Sequence, residues 1–336
     1  MASPACRRDS LGARRRHGLS AHVLLVFFLM ALDGLALQVR ADKSNREAFV
    51  TNQLADSLSI VDLATFVLAA EIKIGGKPAG IALSPAGHEA YVTSPDSKEL
   101  VVVDAEARRV AARIKAGEGP LGIAVNPRSG IIYVADWYKH RILAIDPATR
   151  QITGEVAVGN SPSGLALTPD GALLVSADRE SNAVSIVDAT RLERLASVSV
   201  GEHPFGIAID KTGKLAVTAN VVSGDVSIVD IEARKVVATV KVGARPYGVA
   251  IARGKAFVSN QGSRSVSVID LATFKTINSI RVGEYPEGIT ADTAGRFVYI
   301  ACWSDNTLER IDTETLAVTG RVPVGNGPRA FGAFLR

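Results

Sequence analysis

Downstream of residue 41 the chain has three histidines, His88, His140 and His203, and one cysteine, Cys302. None stands at metal-ligand spacing from another His, Cys or carboxylate, and the sequence has no Cys-x-x-Cys-His, Gly-x-Ser-x-Gly or phosphate-loop signature. No metal and no cofactor is therefore expected. If the chain were an enzyme, His203 with Glu287 is the acid/base pair its residue types offer. Cys302 has no pairing cysteine and no adjacent cation, so it reads as a small buried residue. A second constellation suits binding better than catalysis. Phe205, Tyr247 and Tyr285 are interspersed with Arg245, Glu287 and Arg329, and the only two tryptophans are Trp137 and Trp303. Arginines beside aromatic rings fit a ligand with an anionic group and a flat apolar part.

These residues are spread over two thirds of the chain, so something periodic must bring them together. The aspartates Asp62, Asp104, Asp146, Asp188, Asp230, Asp270 and Asp312 recur at steps of 42, 42, 42, 42, 40 and 42. The prolines Pro78, Pro120, Pro162, Pro204, Pro246, Pro286 and Pro328 keep the same steps. A fixed period of this size marks a repeat architecture whose units bury their apolar faces on one another. Each unit alternates Val, Ile and Thr at period two, in four short runs separated by turn residues. The fold class expected is all-β: a seven-bladed β-propeller of four-stranded antiparallel blades. The short step falls at Ile251–Lys255, where two residues are missing from a turn. Residues 44–74 supply three strands only and Ala330–Arg336 supply the fourth, so the ring should close by pairing of its N- and C-terminal strands.

Strand alternation puts the Val-Gly-x-x-Pro loops and the loops after the Tyr-Val-Thr-Asn strands on one face. The residue between Pro and Gly should stand at the channel mouth: Ala79, Leu121, Ser163, Phe205, Tyr247, Glu287 and Arg329 in turn. The first three are small or aliphatic, the last four large and varied, with His203, Arg245 and Tyr285 preceding the prolines of the same sector. Ligand binding is assigned to this face, at Phe205, Arg245, Tyr247, Tyr285, Glu287, Arg329, Trp137 and Trp303. The repeated aspartates are expected to hold turns, not metals.

The formal net charge of +4 resides in the leader, which holds six of the 38 basic and two of the 34 acidic residues and leaves the body balanced at 32 each. A neutral body lacks the basic face that nucleic acid requires. Arginines before the apolar run Val23–Leu32, then Val39-Arg40-Ala41, have the layout of a secretory signal peptide over residues 1–41. Cleavage after Ala41 would start the mature protein at Asp42 and place residues 42–336 in the periplasm or outside the cell. Membrane attachment is expected only if the leader stays uncut, and a monomer is expected.

Phe49-Val50-Thr51-Asn52, Tyr91-Val92-Thr93-Ser94 and Phe257-Val258-Ser259-Asn260 resemble the YVTN family of β-propeller repeat proteins. The resemblance spans the mature chain and weakens at Val175-Ser176-Ala177-Asp178 and at Ala330, where a glycine is expected. It implies a propeller that binds a small ligand or partner protein, with a place beside a periplasmic quinone-dependent redox system. The alternative is a lactonase-like or lyase-like propeller enzyme.

Overall fold

A computed structural model describes residues 47–336. The leader, its cleavage and the anchor alternative lie outside the described residues. Among those residues no helix is long and apolar enough to cross a membrane.

The alternating β-branched runs form strands with antiparallel register throughout each blade. Blade 4 is representative. Pro162–Leu167 is innermost, followed outward by Leu173–Asp178, Ala183–Asp188 and Glu193–Ser199. Burial falls along that order: the two middle strands are buried almost throughout, while the outer strand exposes most of its residues. The rest of the core lies between blades, where Val175, Val184 and Ile186 of blade 4 meet Ile207, Ala216 and Val229 of blade 5. Among the described residues helix is limited to two single turns, Arg179–Ser181 and Gln261–Ser263. The two-residue deletion proves to be a tight hairpin, Ala252 facing Lys255, with Arg253 and Gly254 both at positive φ.

The Pro-x-Gly signature has a packing cause. In a regular blade the proline faces the last residue of the next strand, and a bulge then shifts register, as from Pro162/Asp178 to Leu165/Ser176. The glycine lies against the neighbouring blade's backbone: a Cβ on Gly122 would come 1.7 Å from the Ser163 carbonyl oxygen.

Blade 1 is completed by the far end of the chain. Its strands Glu47–Asn52, Ser57–Asp62 and Val67–Lys73 receive the C-terminal segment, bridged antiparallel at Asn52/Pro328 and Ala48/Leu335. The Arg329 N–H donates to the Thr51 carbonyl at 2.7 Å and the Phe49 N–H to that of Phe334 at 2.8 Å. This closing strand is not a copy of the others. Phe331–Ala333 swings out of blade 1 and pairs in parallel with Gly80–Ala82 of blade 2, with Gly332 at φ 127°. The last strand thus stitches two blades where every other inner strand serves one.

Candidate binding face

The Val-Gly-x-x-Pro loops and those after the Tyr-Val-Thr-Asn strands do share a face, because they bond to each other. The N–H groups of Trp137, Arg179, Val221, Gln261 and Trp303 donate to the carbonyls of Gly119, Ser161, His203, Arg245 and Tyr285. The residue before the proline adopts a left-handed conformation in six of the seven loops: Lys77, Ser161, His203, Arg245, Tyr285 and Gly327, with φ from 53° to 65°. Glycine suits that geometry and a side chain costs about 1 kcal/mol there. His203, Arg245 and Tyr285 nevertheless occupy it in three consecutive loops.

At the axis, Phe205 and Tyr247 stack with ring centroids 4.2 Å apart, and Phe331 lies 4.9 Å from Phe205. All three are buried, and Trp137 packs on their edge 6.5 Å from Phe205. This cluster leaves neither Phe205 nor Tyr247 presented as an open platform. Phe331 was not among the residues singled out from sequence. Its signal was Ala330, the one place where the Pro-x-Gly pattern loses its glycine and the strand leaves its blade.

Glu287 and Arg329 form an ion pair beside the cluster. Arg329 Nε lies 3.2 Å from Glu287 Oε2, and Arg329 Nη2 donates to the Tyr247 hydroxyl. Glu287 Oε1 accepts from Gln261 Nε2 at 3.0 Å. The pairing is imperfect, since neither Nε nor Oε2 has an aligned hydrogen bond. Burial pushes the Glu287 carboxyl up, against the Arg329 charge, and the Tyr247 hydroxyl is raised by the same burial. For Arg329, burial opposes the charge, and Tyr247 and Glu287 more than restore it. The Arg329 charge is therefore paired internally, although its side chain keeps 20% exposure at the mouth.

The remaining candidates separate into sectors. His203 Nε2 stands 3.7 Å from Glu180 Oε2 and its Nδ1 is buried without a partner, so His203 and Glu287 have separate neighbours and form no acid/base pair here. Arg179 sits 5.9 Å from the Trp137 ring. Arg245 is exposed, makes no ion pair among the described residues, and holds its guanidinium 5.8 Å from the Tyr285 ring, which in turn meets Trp303 at 6.1 Å. Cys302 is fully buried, and burial first, then Glu309, raises its thiol. No group of His, Cys, Asp or Glu among the described residues could hold a metal ion. The marker aspartates close turns: Asp62 Oδ1 accepts from the N–H groups of Ala64 and Thr65, and Asp312 Oδ1 from those of Glu314 and Thr315.

Below the aromatic cluster the axis opens into a cavity of about 620 Å³ that sequence reading did not anticipate. Inner strands of all seven blades line it, with Leu165, Ile207 and Val249 on the wall and Pro127, Pro169 and Asp292 toward the opposite face. Phe331 lines the mouth end, so the cluster stands between this cavity and the Val-Gly-x-x-Pro face.

This architecture defines a seven-bladed β-propeller with a plugged axis and one irregular face. Residues 31–129 match the model of the YNCE-like beta-propeller family, and residues 118–145 that of the NHL repeat. Both models describe β-propeller repeats of the YVTN/NHL type, consistent with a propeller repeat protein. No curated protein matches it in sequence. Among solved structures it is similar to a Kuenenia stuttgartiensis hydrazine synthase chain, with 21% identity and TM-score 0.69 over 76% of this chain and 89% of that one. It is also similar to a functionally unknown protein from Desulfotomaculum acetoxidans DSM 771, with 15% identity and TM-score 0.74 over 86% and 98%. The dihydro-heme d1 dehydrogenase NirN, in complex with DHE, gives 16% identity and TM-score 0.63 over 85% and 74%. At these identities the likeness is one of fold.

Proposed function

We propose that this protein is an exported, non-catalytic propeller that binds a small ligand or partner protein on its Val-Gly-x-x-Pro face. The observation that carries this is the run His203, Arg245 and Tyr285, three large side chains at positive φ in consecutive loops. Glycine suits such positions, as Gly327 illustrates; of the others, Ser161 is small and Lys77 is held by Asp56, whereas these three are large, successive and none of them buried in the core. Residues kept at a backbone cost and turned to the surface are explained by contact with something outside the chain. Export draws on the leader of residues 1–41. A place beside a periplasmic redox system draws on the family resemblance and on two structural neighbours being named as enzymes, one a dehydrogenase.

The test replaces His203, Arg245 and Tyr285 together by glycine. The variant should melt at or above the wild-type temperature, yet lose whatever protein or small molecule co-purifies with the wild type from its own periplasmic fraction, as identified by mass spectrometry. A control variant on the opposite face, Arg109→Ala with Arg150→Ala, should retain it. Equal recovery by wild type and the glycine variant defeats the proposal.

A further inference from the structure

In five of the seven loops the N–H of the residue before the proline is taken by a side chain. Lys77 donates to Asp56 Oδ1, Gly119 to Asp136 Oδ1, Ser161 to His140 Nδ1, His203 to Asn182 Oδ1 and Gly327 to Asn306 Oδ1, at 2.9 to 3.0 Å. The two exceptions are neighbours. At the repeat position held by Asp56, His140, Asn182 and Asn306, the second blade has Lys98, and Asp136 takes the Gly119 N–H instead; the remaining two have Gly224 and Arg264, and no acceptor among the described residues takes the N–H of Arg245 or Tyr285. The acceptor is thus deleted at one loop and exchanged for a cation at the next. The same sector holds the unpaired Arg245 guanidinium against Tyr285, with Trp303 behind it.

We infer that the Arg245–Tyr285 sector is a subsite for an oxyanion carried on an aromatic ring: the unclaimed N–H groups and the guanidinium hold the carboxylate or phosphate, and Tyr285 with Trp303 receives the ring. Backbone N–H groups left without protein acceptors, beside a planar cation, are complementary to an oxyanion, and the aromatic pair offers a face for stacking. Arg264 is held by Glu284 at 2.7 Å, which leaves Arg245 as the free charge. This inference rests on the reading of the face as a binding surface and adds the ligand's chemistry.

The experiment is calorimetric titration of the full-length protein with naphthalene-2-carboxylate, with its neutral amide, and with inorganic phosphate as competitor. Naphthoate should bind about tenfold more tightly than naphthamide, and Arg245→Gln should abolish the difference. Gly224→Asn restores the repeat's missing acceptor at a φ of 65°, which asparagine tolerates, where a Cβ meets nothing within 4 Å. It should weaken naphthoate binding without lowering the melting temperature, and this fold-preserving variant is decisive. Competition by phosphate supports the oxyanion as the recognised group. Equal affinity for naphthoate and naphthamide, or unchanged naphthoate affinity in Gly224→Asn, overturns the subsite while the face reading stands. Binding of neither probe also overturns the subsite, and the glycine variant then decides the face separately.

Discussion

The third residue of the Tyr-Val-Thr-Asn run ties one blade to the next. Thr93 Oγ1 accepts from the Gly80 N–H at 2.8 Å and donates to the Leu121 carbonyl at 2.7 Å, while Ser259 does the same with Gly248 and the Glu287 carbonyl. Where blade 4 has Ala177, the hydroxyl moves to Ser163, which donates to the Ala177 carbonyl and lies 3.1 Å from that of Phe205. The fourth residue secures its own blade: Asn52 donates to Ser57 and Ser59, and Ser59 accepts the Gly325 N–H. Blade 7 departs from this, with Cys302 for the asparagine and buried Glu309 accepting the Gly283 N–H at 3.1 Å. Burial pushes the Glu309 carboxyl up, and Arg321 opposes without cancelling it. A raised carboxyl means the folded state holds the proton more tightly than the unfolded chain. Its stabilisation is complete below the ordinary value of 4.5 and is lost as pH rises through the folded-state value. Glu309→Gln keeps the Gly283 bond and frees Arg321, already 56% exposed, to solvent. Its melting temperature should equal wild type near pH 4 and exceed it increasingly towards pH 8; a difference independent of pH would refute this account.

At the scale of elements, strand type, turn position and blade number were legible because each rests on local rules repeated seven times. Alternation, Asp-initiated turns and Pro-x-Gly bulges could be read off any single unit. The candidate face was legible only in outline. That Phe205 and Tyr247 seal the axis, and that Arg329 turns inward to Glu287 and Tyr247, depends on how unlike side chains at equivalent positions one and two repeats apart pack together, and the period brings those positions to one place without specifying their contacts. The missing acceptors at Gly224 and Arg264 were present in the sequence, but their meaning required knowing which N–H group the side chain reaches. The tight spacing of inner strands gives a direct check: Gly122→Ala should cost about 1–3 kcal/mol or more in denaturant unfolding, since the obstructing atom is backbone and cannot rotate away. An unchanged midpoint would show that the blades can separate there.

For the whole molecule, closure depends on residues 328–336. Phe334 is fully buried in the seam of blades 1, 2 and 7, and Arg336 reaches back to Glu47 and Glu106. Removing residues 329–336 takes away the inner strand of blade 1, the Phe331 wedge and the partner of Glu287 together. The melting temperature should fall by on the order of 10 °C, from the loss of several buried side chains. Retention of the wild-type midpoint would mean that the ring does not need its terminal strand.

That dependence also sets an order of events. Blade 1 is made before the other blades, yet its inner edge is not fully paired until Arg336 has emerged, because Glu47 bonds to Arg336 in both directions. During synthesis the nascent chain therefore carries an open strand edge for almost its whole length, the kind of edge that invites wrong pairing. A prematurely terminated product lacks the one segment that can cover it. Ring closure thus waits for residues 328–336, and a chain stopped short of them keeps that edge open.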